Sequence, residues 1–171
     1  MFADQIRRLF DYNYWANHLI LEKIEKLGDA QLRAPSRFPR GSVWETLLHT
    51  FDAEWIWRRR IQGKPSLADN RLLMIESSQD LKLLREAWLL EEQFFQGYLP
   101  GISDDDLSQI IAYTAKSGPW NGQLSDILMH VVFHGMQHRA ELAQMLTEFG
   151  HSPGDIDYGI YRGLIGKKPA N

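Results

Sequence analysis

The apolar pattern between positions 124 and 149 constrains the fold more than any other feature of this sequence. Residues separated alternately by four and three positions form one stripe: Leu124, Leu128, Val131, Gly135, His138, Leu142, Met145 and Phe149. Residues at this spacing share one face of an α-helix, and such a face packs against other helices. The pattern predicts a helix from about Gln123 to just before Gly150.

Three further segments have helical signals, and their predicted ranges are 2–27, 42–62 and 78–99. The first is followed by Gly28, a common residue after the C-terminus of a helix. The second starts at Ser42, whose hydroxyl can cap the helix while Glu45 reaches back. The third is closed by Pro100 and Gly101.

Four long helical segments in one chain of 171 residues predict an all-α fold, a four-helix bundle that forms a single domain over residues 1–171. In such bundles, binding sites consist of side chains that project inward from facing helices. The segment SQIIAYTAKSGPWNG, residues 108–122, contains β-favouring residues and a turn signal. It is expected to form a short hairpin or an irregular loop before the last helix.

The composition excludes several classes of function. The chain has no cysteine, so disulfides, thiolate metal sites and a cysteine nucleophile are ruled out, and a metal would have to bind imidazole and carboxylate groups. The net charge of −3 predicts no nucleic-acid binding. The basic run Arg58 to Arg60 is interpreted as a solvated helix end, because consecutive helical residues point in different directions.

No segment has the features of a membrane protein or a secreted protein. No run approaches the roughly 18 apolar residues of a membrane span, and the N-terminal sequence lacks the basic and apolar regions of a signal peptide. We therefore expect no membrane association and a cytoplasmic location.

Histidines occur every fourth residue in the last helix, at positions 130, 134 and 138. His138 belongs to the core stripe, and His134 lies one turn away at about 40°. Neutral buried imidazoles need hydrogen-bond partners, and charged ones would repel each other. A divalent cation resolves both problems because it accepts lone pairs from neutral imidazoles.

Two ligands are too few for a metal site, so another helix must contribute. The second helix offers His49, with Glu45 and Asp52 within about 60° on the same face. The carboxylates could orient an imidazole, or Asp52 could bind the metal directly. His18 in the first helix is a spare candidate, and the plainer alternative for His49 is a surface histidine with two acidic neighbours.

His130 is predicted to lie at the rim of the pocket or to support a ligand without binding the ion. It is separated from His138 by about 12 Å of helical rise and about 80° of rotation, too far for a rigid helix to aim both at one ion. The residues between His134 and His138 lack the glutamate of the HExxH motif, which argues against a metalloprotease. Three imidazoles would leave coordination positions open, as in catalytic sites.

Four segments resemble the DinB family, also called DinB/YfiT-like metalloenzymes, over almost the whole chain: YNYWANHLIL, HTFDAEW, HVVFHGMQHRAELAQML and GHSPGDIDYGIY. The resemblance implies a four-helix bundle with a long crossover connection, often dimeric. It implies metal ligands at His49, His134 and His138, with nickel or zinc as the usual ion. The sequence departs from the family at Ala140 and Glu141, where Gly-Gln is common.

The resemblance also implies a class of reaction, since related members are transferases or isomerases that use a low-molecular-weight thiol. The first hypothesis is a metal-dependent enzyme that adds such a thiol to an electrophilic small molecule. The second is a hydrolase that uses metal-activated water. A third is a stress-related protein that binds a metal or small molecule without catalysis.

A homodimer is predicted from the second helix, whose apolar residues surround its axis: Trp44, Leu47, Leu48, Phe51, Trp55, Ile56 and Trp57. A helix that is apolar on every side is usually buried on every side, and one bundle seam covers only one of them. The alternative is that the long loops of the same chain cover the outer face.

Overall fold

A computed structural model describes residues 2–64, 70–115 and 117–166, and this part of the chain is mostly helical with one small sheet. The helices are α1 (Phe2–Ile24), α2 (Asp29–Leu32), α3 (Val43–Ile61), α4 (Asn70–Ser78), α5 (Leu81–Tyr98), α6 (Leu124–Glu148) and α7 (Tyr158–Gly166). The strands are β1 (Ile110–Ala115) and β2 (Gly118–Gln123). None of the helices in these ranges is long and apolar enough to cross a membrane.

The four long helices form the core of the molecule. Helices α1 and α3 each pack against both α5 and α6. The buried side chains form one cluster that includes Leu47, Phe51 and Leu142, and another that includes Phe10 and Phe95. The prediction that the chain is mostly helical is confirmed, and the periodic stripe of the last helix faces these clusters.

Helices α3 and α5 run in the same direction. Glu54 on α3 contacts Trp88 on α5, and one turn later Arg58 on α3 pairs with Glu91 on α5. Two consecutive long helices that run in parallel need a connection that spans their full length. The two helices are joined by residues 62–80, of which the structure describes 62–64 and 70–80, including α4.

The predicted start of the third long helix at Ser78 is wrong. Ser78 is the last residue of α4, and Gln79 then takes a left-handed conformation with φ of 51°. The new helix is capped by Asp80, whose Oδ1 accepts hydrogen bonds from the backbone N–H groups of Lys82 and Leu83. The short helices α2, α4 and α7 were not predicted, because they are too short for the helical period to emerge from the sequence.

Ser42 caps α3 as predicted, and this cap sets the position of the histidine that follows two turns later. Its Oγ accepts a hydrogen bond from the backbone N–H of Glu45 at 3.2 Å. The Glu45 carboxylate accepts a hydrogen bond from the Ser42 hydroxyl, rather than from the Ser42 backbone as a capping box requires.

The segment before the last helix is a hairpin, which confirms one of the two predicted alternatives. Strands β1 and β2 pair antiparallel, with Tyr113 opposite Trp120. The Tyr113 ring also meets the Trp57 ring of α3 edge-on at 5.3 Å between centroids. The hairpin therefore covers part of the outer face of α3.

The apolar residues of α3 are covered within one chain. Trp44, Phe51 and Trp55 are buried in the core, and Trp57 is covered by the hairpin and by His130. Their distribution around the helix therefore does not by itself require a second copy of the chain. The homodimer stays a prediction, tested below.

Candidate metal centre

Helices α3 and α6 bring three imidazoles together. One ring nitrogen from each of His49, His134 and His138 lies within 4.8 Å of the other two. The Nε2 atoms of His49 and His134 are 3.1 Å apart, and the His138 ring centroid lies 4.8 Å from that of His49 and 4.5 Å from that of His134. His138 is buried and the other two are half-buried, so the cluster is partly accessible to solvent.

The environment keeps His49 and His134 neutral. Desolvation, followed by the positive charge of Arg40 and by His138, lowers the pKa of His49 to about 4. Desolvation, followed by the neighbouring histidines, lowers the pKa of His134 to about 3. Both rings therefore have a free lone pair at neutral pH, which is the form that binds a metal ion.

Glu141 orients the buried member of the cluster. Its Oε2 lies 2.8 Å from His138 Nδ1, one helical turn along α6. A carboxylate at this position accepts a hydrogen bond from Nδ1–H and leaves the lone pair on Nε2 for a metal. From the sequence, Glu141 stood out only as a departure from the family pattern, although its spacing of three residues from His138 could have indicated this contact.

The cluster is compatible with a divalent metal ion. A tetrahedral ion with nitrogen ligands at about 2.0–2.1 Å places two of those nitrogens about 3.3 Å apart, close to the 3.1 Å between His49 and His134. Neutral imidazole is a preferred ligand of zinc, nickel and copper. Within residues 2–64, 70–115 and 117–166, this is the one group of three or more side chains arranged to hold an ion.

The carboxylates predicted near His49 lie beside the cluster and are not part of it. Glu45 and Asp52 line a cavity of about 290 Å³ together with Arg40, Leu48 and His49. Neither carboxylate contributes an atom to the group of three ligands.

The spare candidate His18 is distant from the cluster. Its Nε2 lies 2.7 Å from Glu92 Oε2, in a contact between α1 and α5. The histidine cluster lies between α3 and α6 instead.

His130 is exposed and lies outside the group of three. Its ring centroid is 5.6 Å from that of His134 and 5.1 Å from that of Trp57. The guanidinium of Arg60 stacks between the rings of Trp57 and Tyr113, at 4.3 and 4.5 Å from their centroids. These four residues, His130, Trp57, Arg60 and Tyr113, form an aromatic and cationic rim beside the cluster.

The sequence analysis placed His130 at the rim of the pocket but did not predict the other three residues of the rim, Trp57, Arg60 and Tyr113. The basic run that contains Arg60 was interpreted as solvated, but Arg60 packs between two aromatic rings, and Arg58 pairs with the buried Glu91. No signal within the run itself shows that a hairpin some fifty residues later supplies one of the rings.

Comparison with known protein sequences identifies relatives of this chain. The sequence model of the DinB family matches residues 1–165. The chain is 27% identical over 166 residues to the protein named Protein DinB of Bacillus subtilis (strain 168), and the alignment covers 93% of this chain and 94% of that protein.

Proposed function

Because the chain belongs to the DinB family, we propose that it is a divalent-metal-dependent enzyme that adds or transfers a low-molecular-weight thiol to an electrophilic small molecule. The observation that carries this proposal is the convergence of three imidazoles from two helices, two of them only half-buried. An ion with three protein ligands keeps positions for an incoming molecule, which is the arrangement of catalytic sites.

His49, His134 and His138 would hold the ion, and Glu141 would keep the proton on Nδ1 of His138 so that Nε2 faces the ion. A bound divalent ion supplies Lewis acidity, which lowers the pKa of a thiol or a water molecule that enters the open side. The chain has no cysteine, so the sulfur must come from a separate small molecule. Nickel or zinc is proposed, since the donor set consists of imidazole nitrogens.

The rim would select and position the reactants. Arg60 is held by two aromatic rings, and a guanidinium fixed in this way can bind a carboxylate or phosphate group. The positive charge of Arg40 also acts on His49 and His134. The reactants are therefore proposed to carry an anionic group.

Two alternatives share the same site. A hydrolase would use water at the open side of the ion to attack an ester or amide. A stress-related binding protein without catalysis would use the open side only to hold a ligand. Both retain the three histidines, and they differ from the first proposal in whether a thiol is consumed.

The experiment incubates purified protein, loaded with nickel or zinc, with several biological thiols and a generic electrophile. Loss of free thiol and formation of the thioether are measured, and a parallel reaction with an activated ester measures hydrolysis; metal-free protein and the His134→Ala variant are the controls. Thiol consumption that requires the metal supports the transferase. Ester hydrolysis without thiol consumption favours the hydrolase, and no rate above the metal-free control with any thiol contradicts the transferase.

The directions and contacts of the helices support the remaining proposals about architecture. We propose that α1, α3, α5 and α6 form a four-helix bundle within a single domain, with residues 62–80 as the long crossover. A cytoplasmic location fits a reaction that consumes an intracellular thiol.

A further inference from the structure

The cavity beside His49 adjoins the histidine cluster and has a volume of about 290 Å³. Its walls come from the segment before α3, from α3 itself and from α4, and the lining residues are Arg40, Glu45, Leu48, His49, Asp52 and Glu76. This volume is near the lower end of the range of about 300–1,000 Å³ for small-molecule sites. Because His49 belongs both to the lining and to the cluster, a small molecule in the cavity lies next to the proposed ion site.

A tight turn fixes the backbone that carries Arg40. The Ser36 N–H donates to the Gly41 carbonyl oxygen at 2.5 Å, and the Gly41 N–H donates to the Phe38 carbonyl oxygen at 3.0 Å. Gly41 takes a left-handed conformation with φ of 99°, which favours glycine. Phe38 packs against the buried core. The turn therefore holds Arg40 beside the start of α3.

The guanidinium of Arg40 is available to a ligand. Arg40 is exposed, and its side chain has no hydrogen bond or ion pair with any residue of the ranges 2–64, 70–115 and 117–166. Desolvation is the main cause of the lowered pKa values of His49 and His134, and the positive charge of Arg40 contributes to both. A guanidinium so close to the cluster can bind a carboxylate through two parallel hydrogen bonds.

Glu76 lines the same cavity from α4. Its neighbour Ile75 is 1% exposed and packs in the core, which fixes the helix that carries Glu76. Within the described part of the chain, the Glu76 carboxylate makes no hydrogen bond or ion pair, and this includes Arg40. The cavity therefore separates a cation and an anion that do not pair with each other.

The other two carboxylates of the lining are engaged. Glu45 accepts a hydrogen bond from the Ser42 hydroxyl, and Asp52 takes part in another interaction. Arg40 and Glu76 remain as the charged groups that a ligand can pair with. A molecule with both a carboxylate and an ammonium group complements them, whereas a molecule with one charge leaves one of them without a partner.

From this arrangement we propose that the cavity beside His49 binds the α-amino acid group of a reactant. The carboxylate pairs with Arg40, the ammonium group pairs with Glu76, and the side chain extends along Leu48 toward His49. This assignment deepens the proposed function and rests on it in one respect, since the reactant with this group is then a thiol-bearing α-amino acid whose sulfur reaches the ion.

An NMR titration of metal-free protein tests the recognition of this group without the ion, with amide signals of α3 and α4 as the readout. S-methyl-L-cysteine carries both charges, and its thioether neither oxidises to a disulfide nor reacts as a thiol. The compound 3-(methylthio)propanoate lacks only the ammonium group, and 2-(methylthio)ethylamine lacks only the carboxylate. Each loss is expected to weaken binding about three- to fivefold, the usual effect of one exposed ionic contact.

Two variants assign each charge of the probe to its partner. Arg40→Gln should weaken binding of S-methyl-L-cysteine and of the propanoate about three- to fivefold, and it should not weaken binding of the amine. Glu76→Gln should weaken binding of S-methyl-L-cysteine and of the amine, and it should not weaken binding of the propanoate.

Charge-matched controls lie elsewhere on the surface. Arg37→Gln removes a cation from the same segment, where Arg37 pairs with Glu148. Glu86→Gln removes an exposed carboxylate of α5. Both should leave the affinity for all three probes unchanged, and circular dichroism verifies that each variant is folded.

Three outcomes would overturn the proposal: no signal change with S-methyl-L-cysteine at millimolar concentration, equal affinity for the three probes, or variants that affect all probes alike. Failure of the proposed function is a separate result. If S-methyl-L-cysteine binds with the expected pattern but metal-loaded protein consumes no thiol, the amino-acid site stands and the transferase reaction does not.

Discussion

At the scale of single residues, the four histidines in and beside the cluster have different environments. His49, His134 and His138 each direct a nitrogen toward the others, whereas His130 meets the Trp57 ring edge-on and is exposed. Within the periodic series of α6, His134 and His138 therefore contribute nitrogen atoms to the cluster, whereas His130 contributes its ring to the rim. This difference can be tested by removing the rings one at a time.

Replacement of His49, His134 or His138 by alanine is expected to abolish stoichiometric metal binding, because two remaining imidazoles are too few ligands. His130→Ala is expected to retain the metal and serves as the matched control. Elemental analysis of the purified variants measures the metal content. Full metal content in His134→Ala would contradict this set of ligands, and loss of metal in His130→Ala with full metal content in His138→Ala would shift the ligand pair one turn toward the N-terminus of α6.

Glu141→Ala is expected to weaken metal binding about 10–100-fold, because it removes the acceptor that holds His138 Nδ1–H. Glu141→Gln should lose less of the metal affinity, since the side-chain carbonyl of glutamine can accept the same hydrogen bond. Competition with a chromogenic chelator measures the affinity, and Glu148→Ala on the same helix is the control. Equal affinity in Glu141→Ala and the wild type would show that His138 needs no such partner.

The pH dependence of stability has a contribution from the buried carboxyl group of Glu54. Full burial raises its pKa from 4.5 to about 7; Glu91 adds to the rise, while hydrogen bonds from Tyr14 and Trp88 and the charge of Arg139 oppose it. Because the folded-state pKa is the higher one, the stabilising contribution is complete below about pH 4.5 and is lost as the pH rises through about 7.

Glu54→Gln removes this titration. Relative to the variant, the free energy of unfolding of the wild type is expected to fall by up to about 3 kcal/mol between pH 5 and pH 8. Urea denaturation of both metal-free proteins across this range measures the difference, and other titrating groups cancel in the comparison. Parallel pH profiles for the two proteins would contradict the assignment.

At the scale of secondary-structure elements, the contact between α1 and α6 depends on a glycine. A Cβ atom at Gly135 would lie 2.8 Å from Arg139 Nη1 and 2.9 Å from Asn13 Oδ1. Arg139 Nη1 donates a hydrogen bond to Asn13 Oδ1 at 2.5 Å. Both side chains are buried, so neither has free space to move into. The absent side chain therefore makes room for a buried polar contact between the helices.

Gly135→Ala is expected to lower the free energy of unfolding by about 1–3 kcal/mol, the usual cost of overpacking. Gly97→Ala in α5 is the matched control, since nothing lies within 4 Å of the added methyl group. The free energy of unfolding of the control should rise by about 0.5–1 kcal/mol, because alanine has a higher helix propensity than glycine. Urea denaturation measures the free energy of unfolding of both variants. An increase in both would mean that Arg139 and Asn13 move apart without cost.

At the scale of the whole molecule, the predicted homodimer depends on apolar side chains that stay exposed in a single folded chain. Since α3 is covered within the chain, the exposed apolar surface lies on other helices. Phe133 and Met136 on α6 are 52% and 48% exposed and lie one turn apart. A second copy of the chain would remove this surface from water.

The wild type is expected to show the mass of a dimer by light scattering at micromolar concentration, and Met136→Glu is expected to shift it toward a monomer. Gln137→Glu adds the same charge at an exposed neighbouring position without removing an apolar side chain, and it should stay dimeric. A wild-type mass equal to one chain, unchanged as concentration rises, would end the dimer prediction.

Local patterns in the sequence were sufficient for much of the secondary structure. The stripe of α6 predicted its boundaries within a residue or two, and Ser42 was correctly placed as the cap of α3. Such features depend on residues within one or two turns of each other, so the sequence contains all the information they need. The boundary at Ser78 failed because Gln79 and Asp80 interrupt a segment whose composition is otherwise helical.

The candidate site divides in the same way. The spacing of His134 and His138 places both on one face of a helix, and this follows from the helical period alone. Other contacts join residues that are far apart in the chain. His134 and His138 meet His49, His18 contacts Glu92, and Arg60 packs against Tyr113 of the hairpin. Only the packing of the long helices decides these contacts, because a helical period states which residues share a face and not which other helix that face will meet.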